Sequence, residues 1–230
     1  MTLGSPRLHL RETGSTNDRA RELATAGAPH GTLVTAAAQS AGRGRQGRQW
    51  SAPPGRALLM SLVLRDVHPL LPLAAAVAVA QTAGDDARIK WPNDVQLGGR
   101  KVAGILAEGR PQEGWAVLGV GVNVAVRVED LPAELHSTAA TLGREPAGVE
   151  PFLAELLAAL ERALALAPGD VLDAWRARDA LTGREISWPG GRGTAAGIDG
   201  EGRLVVELPS DGRTALDAGE VHLRSEGTGP

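Results

Sequence analysis

RIKWPNDVQLGGRKVAGILAEGRPQEGWAVLGVGVNV, residues 88–124, is the stretch whose reading decides the fold. Residues 88–91, 95–97, 102–108 and 115–124 are short runs rich in Val, Ile, Leu and Trp, joined by Gly-containing turns. Such spacing predicts a largely antiparallel sheet. Working outward, 57–64 and 32–38 read as further strands, and 43–50 as an exposed loop. Ser15-Thr16 followed by Asp18 resembles a helix start, with Asp18 favourable at the positive end of the dipole and Gly27 as the stop near residue 26. The Ala-rich run 69–83 predicts a second helix. Phe152, Leu153, Leu156, Leu157, Leu160 and Leu164 recur at helical spacing, so their stripe is core, and a shorter helix follows at 170–178. From Leu181 the texture changes to short alternating runs split by Pro189-Gly190-Gly191, Asp199-Gly200-Glu201-Gly202 and Ser210-Asp211-Gly212, which predicts a small all-β barrel with tight turns. The expected organisation is α+β: a mixed, largely antiparallel sheet with helices over 1–180, and a β domain with a short tail over 181–230.

Composition narrows the function classes. The chain has 22 Arg but only two Lys (90 and 101) and three Asn (17, 93 and 123), and all five fall inside motif-like segments. A coding bias that strips Lys and Asn makes the survivors suspects, because arginine cannot copy a compact ammonium and nothing else copies a short amide. Any one of them taken alone reads better as a chance remnant. Net charge is −3, and residues 182–230 hold five Arg against eight acids, so nucleic acid is not the expected partner. With no cysteine there are no disulfides, thiolate metal sites or thiol nucleophiles, and the five scattered histidines make a histidine metal site improbable. No signal peptide is evident, and the apolar run 70–83 is too short to span a bilayer. A cytoplasmic protein without a membrane role is expected.

Gly42-Arg43-Gly44-Arg45-Gln46-Gly47-Arg48-Gln49-Trp50 satisfies G-x-G-x-x-G, with Asp66 about twenty residues beyond. A dinucleotide fingerprint must open a helix, however, and this one leads through Pro53-Pro54-Gly55 into a strand. No P-loop motif and no kinase signature occurs. A mobile glycine loop carrying Arg43, Arg45 and Arg48 suits closure over a polyanion, since glycine permits the movement and guanidinium grips phosphate bidentately. A solvated arginine loop is the plain alternative. Trp50 is either a stacking surface for a base or a core residue. Lys90-Trp91-Pro92-Asn93-Asp94 places an ammonium, an aromatic, an amide and a carboxylate at a strand end, and Pro92 keeps the segment extended. It reads equally as a hairpin corner with a Lys–Asp surface pair.

Taken together the motifs resemble one family. Gly14-Ser15-Thr16-Asn17, Gln39, the Gly-Arg loop ending at Trp50, Lys90-Trp91-Pro92-Asn93-Asp94, Gly99-Arg100-Lys101-Val102-Ala103-Gly104-Ile105-Leu106 and Gly119-Val120-Gly121-Val122-Asn123 occur in the order expected of biotin–protein ligases. The resemblance is strong over about 10–125 and extends to the C-terminal β region, where Gly193-Thr194-Ala195 with Gly197-Ile198-Asp199 is similar to the family's SH3-like module. It implies a catalytic domain related to class II aminoacyl-tRNA synthetases, which joins biotin to ATP as biotinyl-5′-AMP and passes biotin to a lysine of a biotin carboxyl carrier domain. By the same resemblance, Ser15, Thr16, Asn17, Gln39 and Gly104 belong with biotin. Arg43, Gly44 and Arg45 cover biotin and the adenylate, and Lys101 meets the biotin carboxylate and the α-phosphate. Trp50 and Asn123 help bind adenine or ribose, while Arg48, Lys90, Asn93 and Asp94 lie with the adenylate or phosphates. Lys101 and Arg45 are the implied catalytic pair. ATP with Mg²⁺ and biotin are co-substrates, no tightly bound cofactor is implied, and a homodimer is compatible.

Two departures from the family pattern stand out. Thr16 follows almost at once after the start, so no N-terminal helix-turn-helix and no repressor role are expected. Residues 126–141 hold no aromatic beyond His136, so no aromatic adenine lid is expected there. The competing readings are a lipoate- or octanoate-handling enzyme of the same fold and a non-catalytic scaffold module.

Overall fold

Alternation along the central strands sorts this chain into two faces. The computed structural model describes residues 2–223 apart from 66, 111, 112, 211, 218 and 220. Asp66, Asp211 and the tail 224–230, which entered the sequence reading, lie outside the described residues. Strands β1 (Arg7–Leu10), β2 (Leu33–Ala36), β3 (Leu58–Leu64), β4 (Arg88–Lys90), β5 (Asp94–Leu97), β6 (Arg100–Arg110) and β7 (Trp115–Val122) form a seven-stranded sheet. Its order is β1-β2-β3-β7-β6-β5-β4, with β1 parallel to β2 and every other pairing antiparallel.

Side chains of a strand alternate between faces. On one face Leu58, Met60, Leu62 and Leu64 of β3 and Ala116, Leu118, Val120 and Val122 of β7 join the main apolar cluster. That cluster includes helix α2 (Leu71–Ala83), buried along its length from Leu71 to Ala80 apart from Pro72, with α3 (Val149–Leu164) and α4 (Pro168–Arg176) packed against it. A helix apolar all round must be buried on all sides, which explains its three-sided enclosure. The opposite face carries Ser61 of β3 and Gly119 and Gly121 of β7, flanked by a smaller cluster in which Ala20 and Ala24 of α1 (Thr16–Thr25) meet Val34, Val63, Trp115 and Val117. One face is filled and the other is left small and polar.

The expected elements are found, with shifts of one to three residues at their ends. β1 was not expected: its four residues are exposed or half-buried and pair only at the sheet edge. α4 begins at Pro168, whose fixed φ and missing N–H suit the first turn of a helix.

Strands β8 (Glu185–Trp188), β9 (Gly191–Ile198), β10 (Leu204–Leu208), β11 (Gly212–Leu216) and β12 (His222–Leu223) form a second, antiparallel sheet in the open order β11-β10-β9-β8-β12. Its buried Ile186, Ala195, Leu204, Val206 and Val221 belong to the same apolar cluster as α2. Buried Trp91 donates from Nε1 to the Gly202 carbonyl at 3.1 Å. Gly202 sits at φ +78°, and a Cβ there would stand 3.0 Å from Leu73 Cδ2. The β9–β10 turn is thus seated on α2 and on the aromatic of the Lys-Trp-Pro-Asn-Asp segment.

Trp91→Phe keeps the apolar ring but leaves the Gly202 carbonyl without its donor. Urea unfolding should show a loss of about 1–3 kcal/mol. An unchanged midpoint would mean that this bond does not help hold the second sheet.

Candidate active site

The sheet face lined by small residues opens into a cavity of about 580 Å³. Its floor depends on missing side chains. A Cβ on Gly119 would lie 2.1 Å from Asn17 Oδ1, and one on Gly121 would lie 2.7 Å from Trp50 Cε2. A Cβ on Gly104 would be 3.1 Å from the Trp50 ring and 3.2 Å from Lys101 Cε. Glycine within a strand marks close approach of another group, and here three such positions let α1 and the Gly-Arg loop settle onto the sheet.

At one corner stands the start of α1. Ser15 is the N-cap residue, yet its hydroxyl makes no capping bond. The Thr16 N–H, at the first helical position, is satisfied by Gln39, whose Oε1 also accepts from the Thr16 hydroxyl, at 2.7 and 3.0 Å. Ser61 Oγ lies 2.8 Å from Thr16 Oγ1 and 2.6 Å from Asn17 Oδ1, and Asn17 Nδ2 donates to Glu108 Oε2 at 2.8 Å. The chain Gln39–Thr16–Ser61–Asn17 therefore has amide oxygens at both ends and two hydroxyls between them. Two protons cannot serve three oxygen–oxygen contacts. The corner suits a ligand that brings an N–H or O–H donor.

Elsewhere the lining is cationic. Lys101 Nζ pairs with Asp94 Oδ1 at 2.6 Å and lies 5.7 Å from the Trp50 ring centroid. Arg45, half-buried, has its guanidinium pushed below its ordinary value by burial, against the opposing attraction of Asp94. Residues 42–50 form a hairpin: Trp50 N donates to Gly42 O at 2.9 Å, Gly44 N donates to Arg48 O at 2.7 Å, and the tip is a 3₁₀ turn, Arg45–Gly47. Gln46 at that tip has φ +55°, in the left-handed region that non-glycine residues seldom occupy. Asn93 turns its amide into the sheet, donating to Ile105 O at 2.8 Å. Asn123 donates to Ala140 O at 2.9 Å, while its Oδ1 and Trp50 Nε1 are buried without partners.

Of the residues singled out from the sequence, Ser15, Thr16, Asn17, Arg43, Gly44, Arg45, Arg48, Trp50, Lys90, Asn93, Asp94, Lys101, Gly104 and Asn123 all line this one cavity. Gln39 does not; it stands behind Thr16. Arg43 directs its guanidinium to Asp18 and Glu108 at 2.7 and 3.0 Å. Sequence reasoning missed Ser61, Asp18, Glu108 and the paired Gly119 and Gly121, although Gly-x-Gly inside a strand was a readable signal. It also missed the approach of the second sheet, whose Val221, His222 and Leu223 line the rim.

Residues 10–124 match the Biotin/lipoate A/B protein ligase family. The chain belongs to that family. It is 37% identical to a biotin–[acetyl-CoA-carboxylase] ligase of Paracoccus denitrificans, over 92% of this chain and 98% of that protein. It is 41% identical to a bifunctional ligase/repressor BirA of Bacillus spizizenii over 62% of this chain, but the match spans only 47% of that relative. A biotin protein ligase from Aquifex aeolicus, solved in complex with biotin and ATP, superposes with a TM-score of 0.81 at 25% identity, covering 96% of this chain and 99% of that one.

Gly121→Ala should force the Trp50 indole off the sheet and loosen the hairpin. Limited tryptic digestion should then cut after Arg43, Arg45 or Arg48 several-fold faster than in the parent chain. An unchanged cleavage rate would show that Trp50 does not secure the loop.

Proposed function

We propose that this protein is an ATP-dependent biotin–protein ligase that makes biotinyl-5′-AMP and transfers the biotinyl group to a lysine of a biotin carboxyl carrier domain. The observation that carries this reading is one cavity pairing a donor-hungry polar corner at Ser15, Thr16 and Asn17 with a cationic region at Lys101 and Arg45. Biotin offers the matching ends, a ureido ring with N–H groups and a carboxylate. In the first step a carboxylate oxygen attacks the α-phosphorus of ATP, and the bond to pyrophosphate breaks. Two anions must meet, so fixed cations aimed at both lower the barrier. Lys101 is the point charge for that encounter, and Arg45 on the hairpin is the lid cation that screens the mixed anhydride from water. In the second step the carrier amine attacks the acyl carbon and AMP leaves.

The remaining roles follow the cavity. Gln39 acts on biotin through Thr16, and Gly104 leaves room beside Lys101. Trp50 and the unpartnered Asn123 oxygen suit adenine, whose amino group is a donor, while Arg43, Gly44, Arg48, Lys90 and Asn93 wall the adenylate side. Among the described residues no group of three or more His, Cys, Asp or Glu could hold a metal. Asp94 as a lone carboxylate fits Mg²⁺ that arrives on ATP, since Mg²⁺ commonly keeps waters and phosphate oxygens with one or two carboxylates. The reading takes residues 1–180 as the catalytic domain and 181–230 as an SH3-like module, and places the protein in the cytoplasm with no nucleic-acid partner. No described helix is long and apolar enough to cross a membrane.

Purified protein should catalyse biotin-dependent ATP–pyrophosphate exchange and label a carrier domain with biotin but not with lipoate. Label from lipoate alone, or from neither acid, would overturn the reading. Lys101→Ala should lose exchange by at least about a hundredfold with its unfolding curve intact. Arg45→Gly should release the adenylate and label bystander lysines; bystander labelling at the parent level would remove Arg45 from the lid role.

A further inference from the structure

Four charged side chains from three parts of the chain close a ring at the base of the Gly-Arg hairpin. Asp18 of α1 pairs with Arg21 one turn along and accepts from Arg43 Nη1 at 2.7 Å. Glu108 of β6 meets the same Arg43 through Nη2 at 3.0 Å and Arg21 Nη1 at 3.8 Å. Two carboxylates and two guanidiniums therefore alternate around the ring. The hydrogen bond to Asp18 raises the Arg43 guanidinium above its ordinary value, with Glu108 and Asp18 adding attraction and burial opposing. Glu108 has the least exposed side chain of the four, at 23%.

Glu108 also has a second task. Its Oε1 faces the arginines, whereas Oε2 accepts from Asn17 Nδ2 in the donor-hungry corner. Arg43 belongs to the loop over the cavity and Asn17 to its floor, so one carboxylate ties two walls of the site together. Arg43 sits where the hairpin begins, next to the Gly42–Trp50 bond and in the bridge to Gln49. With its guanidinium held, Arg43 anchors the base of the hairpin whose tip carries Arg45.

We propose that Glu108 is a positioning residue, fixing the hinge of the loop through Arg43 and the acid-recognition corner through Asn17 at once. The inference rests on the ligase reading. It assigns Glu108 no contact with the reacting atoms, so its loss should act on substrate affinity and intermediate retention more than on chemistry at Lys101 and Asp94.

Glu108→Gln separates the two tasks, because an amide oxygen can still accept from Asn17 while the charge facing Arg43 and Arg21 is lost. At low salt, exchange assays should give KM for biotin and release of biotinyl-AMP raised about three- to fivefold, with kcat changed less than about twofold. Raising salt from about 0.05 to 0.5 M should close the gap between variant and parent, since it screens the ring in the parent alone. Arg43 also walls the cavity, so Arg43→Gln should raise KM and release at least as much, and adding Glu108→Gln to it should change them little further; Arg21→Gln, which breaks the ring at a residue outside the cavity lining, reads the ring if Glu108→Gln folds poorly. A parent-like KM and release rate in Glu108→Gln and Arg21→Gln, or a kcat loss in Glu108→Gln as large as the KM change, overturns the proposal. Absence of biotin-dependent exchange in the parent overturns the ligase reading and the proposal with it, and so is distinguishable from failure of the Glu108 inference alone.

Discussion

The oxygen of Asn17 occupies space that a Cβ at residue 119 would claim, 2.1 Å from it. The site depends on that contact. α1 can bring Ser15, Thr16 and Asn17 onto the sheet only because β7 presents no side chain beneath them. Two residues on, at the same side of the strand, Gly121 does likewise for Trp50, and Gly104 on the neighbouring β6 repeats the arrangement beside Lys101. Strand alternation puts these glycines opposite the apolar face, so they cost little of the main core: the interleaved Leu118, Val120 and Val122 remain in the main apolar cluster. Filling any of these positions would leave the strand intact and displace what rests on it.

A floor so close to the backbone has an electrostatic consequence. Lys101 and Arg45 gather in a partly dry space, where like charges repel more strongly than in water. Asp94 relieves this by pairing with Lys101 at 2.6 Å and attracting Arg45. On the proposed reading, substrate anions enter a site whose cations are already placed and already partly neutralised. The carboxylate thereby holds the lysine in place. An arginine at 101 would be a poorer fit, because its planar fork is larger and its charge is spread over three nitrogens, while the space beside Gly104 already admits Lys101 Cε at 3.2 Å from a Cβ position.

Much of this was legible in the sequence. Runs of β-branched and aliphatic residues with short turns marked the sheet from β2 to β7, and helical spacing at Phe152, Leu156 and Leu160 marked α3. The scarce Lys and Asn residues pointed to one cavity, which all five line. What was not legible depends on contacts distant in sequence. Ser61 looks like one polar residue in an apolar strand until Thr16 and Asn17, 45 and 44 positions earlier, close on it. Glu108 ends a run that reads only as strand, and its three partners sit on α1 and the hairpin. β1 is too short and too exposed to declare itself. The joining of the second sheet to α2 depends on Gly202 and Trp91, 111 residues apart.

Several motif residues in or behind the cavity wall also hold others in place. Gln39 satisfies the Thr16 N–H at the first helical position, a donor that an N-cap side chain does not usually serve, and the Ser15 hydroxyl makes no capping bond of its own. Asn93 spends its amide on the Ile105 carbonyl, fixing the turn that carries Asp94. Arg43 spends its guanidinium on two carboxylates. Each satisfies a backbone or side-chain partner, and Arg43 and Asn93 do so while lining the cavity. A small polar cavity needs such residues, since a side chain free to hydrogen-bond a substrate must be kept from folding back on its own backbone. The order of the motifs along the chain therefore records a division of labour, in which one set of residues is held ready because another set has been used up.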